Sequence, residues 1–417
     1  MKIAIIGAGA AGLMAAATVS EQCPTADVFL IDRNNGLGKK VIISGGGRCN
    51  VTTGILDIRT VLTKYPRGSK FLVKAMNRFP PKAVIAWFEA NGVPLKTEDD
   101  LRVFPVSDNG EDVVGAFEKR FAGSNVRTLL GHAVQHIERT DSGFRVNFLK
   151  QEPLEADVLV LTTGGQAYRH TGSTGDGYAF AEQLGHAITP LAASLNSFIL
   201  REAWPKELSG MSFEKATISC PRAKTYTATG PFLFTHRGVS GPAVFALSAL
   251  VAFEAYDSSK PLELLLNIFP DERADDLQGR IQDAIGANPK KSIQTVLGFI
   301  APKRLAETIC RECGIDGAKH AIEVGKKDIR RIAGWLMAIP LHAIGRGAGD
   351  EFVTAGGVDL TDVDPSTMGS KICPGLYFGG EILNIDGYTG GFNLQASWAT
   401  GRLAGEAISA QCRDHHE

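Results

Sequence analysis

Residues 2–32 read KIAIIGAGAAGLMAAATVSEQCPTADVFLID. The first six are an apolar run rich in β-branched side chains and closed by Gly7, the pattern of a strand buried on both faces. A helix follows from about Gly9 to Ser20, and a second strand, Asp27 to Ile31, completes a β-α-β unit of about thirty residues, the size of a parallel pair with its crossover. Between strand and helix stands Gly7-Ala8-Gly9-Ala10-Ala11-Gly12, with Asp32 ending the second strand. Gly7 permits the tight turn, Gly9 lets the backbone approach a pyrophosphate, and Gly12 lets helix pack closely on strand, while the helix N-terminus attracts phosphate. Asp32 is placed to accept from a ribose hydroxyl. A lone GxGxxG also occurs as a plain strand-helix turn; strand, helix and acid together predict a dinucleotide site, with NAD and FAD both open at this point.

Pro80 and Pro81 open an apolar-periodic stretch that stops at Asn91-Gly92, and a further helix is expected from Glu111 to Phe121. Residues 126–149 alternate loosely around Asp141-Ser142-Gly143 and read as a hairpin beside the core sheet, after which the strand Ala156–Leu161 returns to it. From about 190 to 265 the texture changes to short β-like pieces punctuated by Pro and Gly. Helical patterns follow near 271–285, 290–299, 302–313 and 326–337, and Gly-rich α/β texture resumes at Val353 with a strand at Leu376–Phe378 and a helix near Asn393–Ala410. The expected fold class is α/β: a discontinuous Rossmann-like domain (1–189 and 345–417), interrupted by a β-barrel domain (190–268 and 339–344) that carries a helical subdomain (269–338).

Three more glycine clusters mark chemistry. Ser44-Gly45-Gly46-Gly47-Arg48-Cys49-Asn50 lies just beyond the second strand, where an extended dinucleotide would run from its diphosphate toward a ring; a surface turn is the plain alternative. Thr163-Gly164-Gly165 ends the buried strand at Leu161, where bare backbone passes close to a ligand or simply turns. In GLYFGGEILNIDGYTGGFNLQASWATG (375–401), Gly379-Gly380-Glu381 ends a strand and Gly390-Gly391 precedes a helix. A helix N-terminus aimed at a reduced flavin would stabilise the negative charge of its pyrimidine edge, a feature that NAD does not need. The four clusters converge on one elongated cofactor, FAD, provided its domain is interrupted.

Length and composition bound the rest. The chain has 417 residues, 44% hydrophobic and 21% charged, with a net charge of −1, so two or three globular domains are expected and disordered or fibrous classes drop out. No dense basic run interleaved with aromatics stands out, so a dedicated nucleic-acid role is not expected, although a local basic patch is compatible with the composition. The seven cysteines are scattered and do not read as a disulfide framework. With no secretory leader pattern and no spanning apolar run, the expectation is a cytoplasmic protein without a membrane partner. No metal site is expected: Cys310-Arg311-Glu312-Cys313 is a lone CxxC, and His415 and His416 have no spaced ligand partner. Gly345-Arg346-Gly347-Ala348-Gly349 lacks a strand-helix context and reads as a turn.

GAGAAG, SGGGRCNVT, RVFPVS (102–107), FTHRGVSGP (234–242), TAGGVD (354–359) and GYTGGFNLQ (387–395) together resemble the YhiN/BaiN-type flavoproteins over nearly the whole chain. That family is similar to the fumarate reductase and aspartate oxidase flavoproteins, and its members are assigned as aminoacetone oxidases or as reductases of dehydro-bile acids. The resemblance implies FAD, with the adenosine end at Asp32, Arg33 and Val134, the pyrophosphate at Gly9, Ala10, Ala11 and Gly12, and the ribityl chain at Gly380 and Glu381. It places the ring near Arg48, Cys49, Asn50, Gly391, Phe392, Asn393 and Leu394. Gly7, Lys40, Ser44, Gly46, Gly47, Thr163, Gly164 and Gly165 complete the expected cofactor set. Asp32 departs from the Glu that many FAD proteins of this architecture carry.

No second GxGxxG unit is present, so electrons are expected to enter at the flavin face, from a small-molecule substrate or a visiting NAD(P)H. Arg48 is the candidate for a substrate anion, Asn50 and Asn393 for a carbonyl, and Tyr388 for a proton, with His236 as a weaker alternative. Three readings stand at this stage: hydride transfer between a small organic substrate and flavin N5, as in an oxidase or dehydrogenase; reduction of activated C=C bonds by NAD(P)H; and a non-catalytic flavin-binding redox sensor. The oligomeric state is not legible.

Overall fold

In the computed structural model, which describes residues 1–347 and 352–414, Lys2–Ile6 is strand β1, buried at all but its first position. It occupies the middle of a five-stranded parallel sheet ordered Leu376–Phe378, Val158–Leu161, β1, β2 (Asp27–Asp32) and Val126–Leu130. Ile3 pairs with Val158 on one side and Val28 on the other. A strand paired on both edges and covered on both faces has no solvent side to alternate toward, which accounts for its unbroken apolar run.

The glycine loop leads into helix α1 (Ala10–Gln22), whose residues from Ala10 to Val19 are all buried. On its other side lies the helix Phe392–Asp414, hereafter the C-terminal helix. Their backbones nearly touch: a β-carbon on Gly401 would stand 2.2 Å from the Ala11 carbonyl oxygen, and one on Gly405 would stand 2.9 Å from that of Ala15. At the far end of the pair Cys23 and Cys412 form a disulfide, with Cα atoms 6.4 Å apart. The scattered cysteines gave no sign of it, because only tertiary packing makes two helix ends 389 positions apart into neighbours. The free cysteines among the described residues are all buried. Cys310 and Cys313 are among them, their thiols pushed up to about 11 by burial, and they pack in a hydrophobic core.

One expectation needs correction. Residues 126–149 do not form a single hairpin beside the core: Val126–Leu130 joins the parallel sheet as its edge strand against β2. The true hairpin, Val134–Arg139 with Phe144–Phe148, turns at Asp141-Ser142-Gly143 and belongs to a separate three-stranded sheet with Leu154–Ala156. Alternation reports which face is buried, not which strand is the partner.

The chain divides into two compact units, Met1–Ser194 with Phe352–Glu417, and Leu195–Glu351. The first holds the parallel sheet. The second contains a closed six-stranded barrel in the order Phe198–Leu200, Gly238–Ser240, Tyr226–Phe234, Ser212–Cys220, Leu262–Asn267 and Ile339–Arg346. Helices Ala274–Ala287, Ile293–Leu297, Lys303–Glu312 and Lys326–Met337 share one core with it, in which Phe198, Phe232 and Leu264 join Leu277, Ile309 and Ile332. No described helix is long and apolar enough to cross a membrane. His415, His416, Ala348 and Gly349 lie outside the described residues.

The α1 packing generates a prediction. Gly401→Ala forces backbone apart and is expected to destabilise the protein by about 1–3 kcal/mol. Gly279→Ala, in the interior of Ala274–Ala287 with nothing within 4 Å of the new carbon, is expected to be neutral or to stabilise by up to about 1 kcal/mol. Urea unfolding of the two variants reads the difference; equal midpoints would remove close helix contact as the reason for this glycine.

Candidate functional site

All expected cofactor residues fall in the first unit, at the C-terminal edge of the parallel sheet and in the segments that follow it. Gly7 has φ +106°, and a β-carbon there would lie 2.5 Å from the Thr162 carbonyl oxygen. The Thr162 hydroxyl donates to the Gly7 carbonyl at 2.8 Å, and a β-carbon on Gly12 would lie 1.9 Å from that same oxygen. Strand, turn and helix therefore meet without a side chain between them. Gly9 is the N-cap of α1; no side chain caps this helix start, no acidic residue stands in its first turn, and nothing lies within 4 Å of where a Gly9 β-carbon would be. An uncapped, open helix N-terminus is an anion site.

Asp32 does more than face a ribose. One of its oxygens accepts from the Ala8 amide at 2.8 Å, and the other from the Asn34 amide at 2.8 Å and the Asn34 side chain at 2.9 Å. Asn34 also donates to the Thr171 carbonyl at 2.9 Å, while Arg33 donates to Thr174 at 2.7 Å and pairs with Asp176 at 3.2 Å. The carboxylate thus braces the glycine loop and ties it to residues 171–176. Asn34, Thr174 and Asp176 were not singled out from sequence, since no motif announces a loop that closes from 140 residues away. Val134, half-buried, packs against the same core.

Further along, Lys40 pairs with Glu381 at 2.7 Å, and the other oxygen of Glu381 accepts from the Thr354 amide at 2.9 Å. Gly380, at φ +77°, donates its amide to Thr400 at 2.9 Å. Gly165 leaves room for Thr354 and Glu381, Gly164 sits at φ +74°, and the Thr163 hydroxyl is buried without a hydrogen-bond partner. Gly46 and Gly47, at φ +75° and +89°, have nothing within 4 Å of their missing β-carbons. Ser44 spends its hydroxyl on the Val41 carbonyl. Open helix start, bare glycine run and orphaned hydroxyl fit an extended dinucleotide.

Among the described residues, the polar candidates nearest the expected ring differ in whether the fold already engages their side chains. Arg48 pairs with Glu98 at 2.5 Å and Asp108 at 2.6 Å and lies over the Phe104 ring, so its charge is already matched. Asn50 accepts from the Val103 amide at 3.2 Å. Asn393 clasps Gly387, accepting from its amide and donating to its carbonyl, each at 2.8 Å. Cys49 is fully buried with its thiol pushed up to about 12, mainly by burial, which makes it a packing residue and not a nucleophile. Tyr388 is half-buried, its amide donates to the Lys64 carbonyl at 2.9 Å, and burial raises its phenol above the ordinary range. Leu394 packs on the core, and His236 is exposed on a barrel turn.

Several residues that hold this region were not foreseen. The Tyr65 hydroxyl donates to the Phe392 carbonyl at 2.7 Å, and a β-carbon on Gly391 would lie 2.2 Å from the Thr52 carbonyl oxygen. Buried Gln395 accepts from the Thr52 hydroxyl at 2.6 Å and donates to the Phe79 carbonyl at 2.8 Å. Asp386, fully buried, receives two hydrogen bonds from the Arg67 guanidinium and one from Ser194 at 2.7 Å. Burial pushes the Asp386 carboxyl up, and Arg67 and Ser194 pull it back.

Comparison with known proteins bears on the fold. The family model for the HI0933-like protein Rossmann domain matches residues 1–407. The chain is 28% identical over 413 residues to a 3-dehydro-bile acid delta(4,6)-reductase of Clostridium scindens, covering 98% of this chain and 99% of that one. It is 30% identical over 413 residues to a ribosomal RNA dihydrouridine synthase of Haemophilus influenzae, covering 98% of each. Among solved structures, a 3-ketosteroid delta1-dehydrogenase from Sterolibacterium denitrificans shares the fold at TM-score 0.52 and 12% identity, over 98% of this chain and 99% of that one.

Removing one partner of a buried ion pair strands the other. Asp386→Ala is expected to destabilise the protein by about 3–5 kcal/mol, and Asp386→Asn by less because it keeps the hydrogen-bonding shape. Chemical denaturation checks this, and an Asp386→Ala protein as stable as the parent would show that the pair does not hold the loop.

Proposed function

Because the chain belongs to the HI0933-like Rossmann-domain family and is an FAD-dependent oxidoreductase, we propose that it reduces a carbon–carbon double bond conjugated to a carbonyl, with NAD(P)H as electron donor. One observation carries the choice of reaction: relatives matched end to end are named for adding hydrogen across such bonds, a delta(4,6)-reductase of a 3-dehydro steroid and a synthase of dihydrouridine. Their common chemistry is narrower than either substrate.

FAD, when bound, supplies a hydride from N5, which NAD(P)H replaces. The π bond of the substrate takes that hydride at the carbon β to the carbonyl and a proton at the α carbon, so one NAD(P)H and one proton are consumed per bond saturated. The chain's own task is to bind the cofactor, hold the substrate and provide the proton. Gly9, Ala10 and Ala11 at the open start of α1 receive the diphosphate, and Arg33, Asp32 and Val134 surround the adenosine end. Lys40 and Glu381, already paired, border the ribityl chain with Thr163, Gly164 and Gly165.

Tyr388 supports the acid role best among the candidates. Its phenol is held protonated by burial and is therefore a donor at neutral pH, and its backbone is fixed by Lys64 on one side and the Asn393 clasp on the other. Arg48, Asn50 and Asn393 serve as braces in this reading. Cys49, its thiol pushed up to about 12 by burial, offers no thiolate beside the expected ring, so that position gives no support to a dithiol relay.

Oxidised, FAD-loaded protein under argon tests the proposal. NAD(P)H should bleach the flavin, and an α,β-unsaturated ketone or a uracil-containing substrate should restore its colour. Bleaching by an amine, with recovery only in oxygen and release of peroxide, would instead establish an oxidase; a flavin that no donor reduces would establish a sensor. Tyr388→Phe is expected to slow alkene-dependent recovery by roughly 10²–10⁴-fold while leaving bleaching by NAD(P)H within a few-fold.

A further inference from the structure

Residues 58–88 contain Arg59, Lys64, Arg67, Lys70, Lys74, Arg78 and Lys82, and no acidic residue. In a chain whose net charge is −1, that is a strong local asymmetry. The fold turns it into a surface. The amides of Leu72 and Met76 donate to the carbonyls of Gly68 and Leu72, so the helical turn begins before the helix Val73–Arg78. Leu72, Ala75, Met76 and Phe79 face the core, which leaves Lys70, Lys74 and Arg78, spaced four apart, along the exposed side with Asn77. Lys82 continues the stripe in the first turn of the helix Pro81–Ala90.

Two of these cations are spent within the fold, Arg67 on Asp386 and Arg78 on Glu406. Lys64, Lys70, Lys74 and Lys82 have no ion pair among the described residues. The stripe is also continuous with the candidate site. Segment 64–68 runs antiparallel to 384–388, where Arg67 bridges to Asp386 and the Lys64 carbonyl accepts from Tyr388. The run of lysines therefore begins with half-buried Lys64 on the very segment that fixes the proposed acid, and its exposed members follow from Lys70.

We infer that this stripe, Lys64, Lys70, Lys74 and Lys82, is a docking surface for the phosphate backbone of an RNA, whose uracil ring is the conjugated double bond presented to the site. The inference rests on the reaction proposed above and on the ribosomal RNA in the name of the Haemophilus influenzae relative; what it adds is the surface that would hold the polyanion. A base embedded in a polyanion must be unstacked to reach a flavin, and phosphate contacts on either side of it supply the binding energy for that. A small unsaturated ketone makes no use of several unpaired cations in a row. The expectation that no nucleic acid is involved rested on the overall charge and on the lack of a dense basic run with aromatics, and it left room for a local basic patch; a net charge of −1 does not register such a stripe, because acidic residues elsewhere offset it in the total.

The test measures binding, separately from turnover. FAD-loaded protein is titrated with a fluorescent, uridine-containing RNA stem-loop at several salt concentrations. The parent should bind with a steep salt dependence, and the triple charge reversal Lys70→Glu, Lys74→Glu, Lys82→Glu should weaken binding at least about tenfold and flatten the log–log salt slope by about 3. A control reversal of three other exposed lysines, Lys119→Glu, Lys150→Glu and Lys224→Glu, should stay within about twofold of the parent. The flavin absorbance band and circular dichroism confirm that each variant is folded. Loss of binding in the control to the same degree, no loss in the stripe variant, or tighter retention on anionic lipid vesicles than on RNA would overturn the inference. Colour recovery with a small unsaturated ketone would leave the proposed reaction standing even then, so the two can fail independently.

Discussion

Everything in the first unit depends on two helices whose backbones lie against each other. Gly401 and Gly405 bring the C-terminal helix onto Ala11 and Ala15 of α1 at distances that no side chain permits. In the proposed reading, with the diphosphate at the start of α1 and the ring at the start of the C-terminal helix, the separation of these two ends would set the span of cofactor that the unit accepts. The Cys23–Cys412 bridge closes the same pair at its other end. Close contact between helices is usually an economy of packing; in that reading it would also set the geometry of the cofactor site.

How far the sequence revealed this depends on whether a requirement is local. Gly7, Gly9 and Gly12 were legible because each answers a need set by its immediate neighbours, and the strand and helix around them carried their own periodicity. The barrel and its helices were legible as texture, and the family resemblance extended over nearly the whole chain. What escaped were properties of pairs far apart in sequence. Val126–Leu130 pairs with β2 and not with the hairpin that follows it; Asn34 binds Thr171; Gln395 joins Thr52 to Phe79. Arg48 illustrates the converse: its type suggested an anion, and only the fold reveals that Glu98 and Asp108 already surround it.

The loop before the C-terminal helix shows how rigidity is distributed. Asn393 holds Gly387, Tyr65 holds Phe392, and Arg67 holds Asp386, so one segment, 64–68, fixes most of 386–393. The buried Asp386 carboxylate is costly to desolvate and is tolerated because Arg67 and Ser194 satisfy it. Such a network gains specificity of position at the expense of stability. Tyr388, flanked by these fixed points, retains a polar group whose role the fold has not already consumed.

The interruption of the first unit has a consequence for how the protein is made. The edge strand Leu376–Phe378 and the C-terminal helix leave the ribosome only after the whole of Leu195–Glu351. Until then β1 and α1 are present without the partner that covers α1, and the nascent sheet exposes apolar surface to which chaperones bind. The barrel unit, by contrast, is contiguous and can close as soon as it emerges. Folding of the cofactor domain therefore waits on contacts between segments that the whole barrel unit separates in sequence, and shortage of flavin during synthesis would act on the unit that is completed only after the barrel.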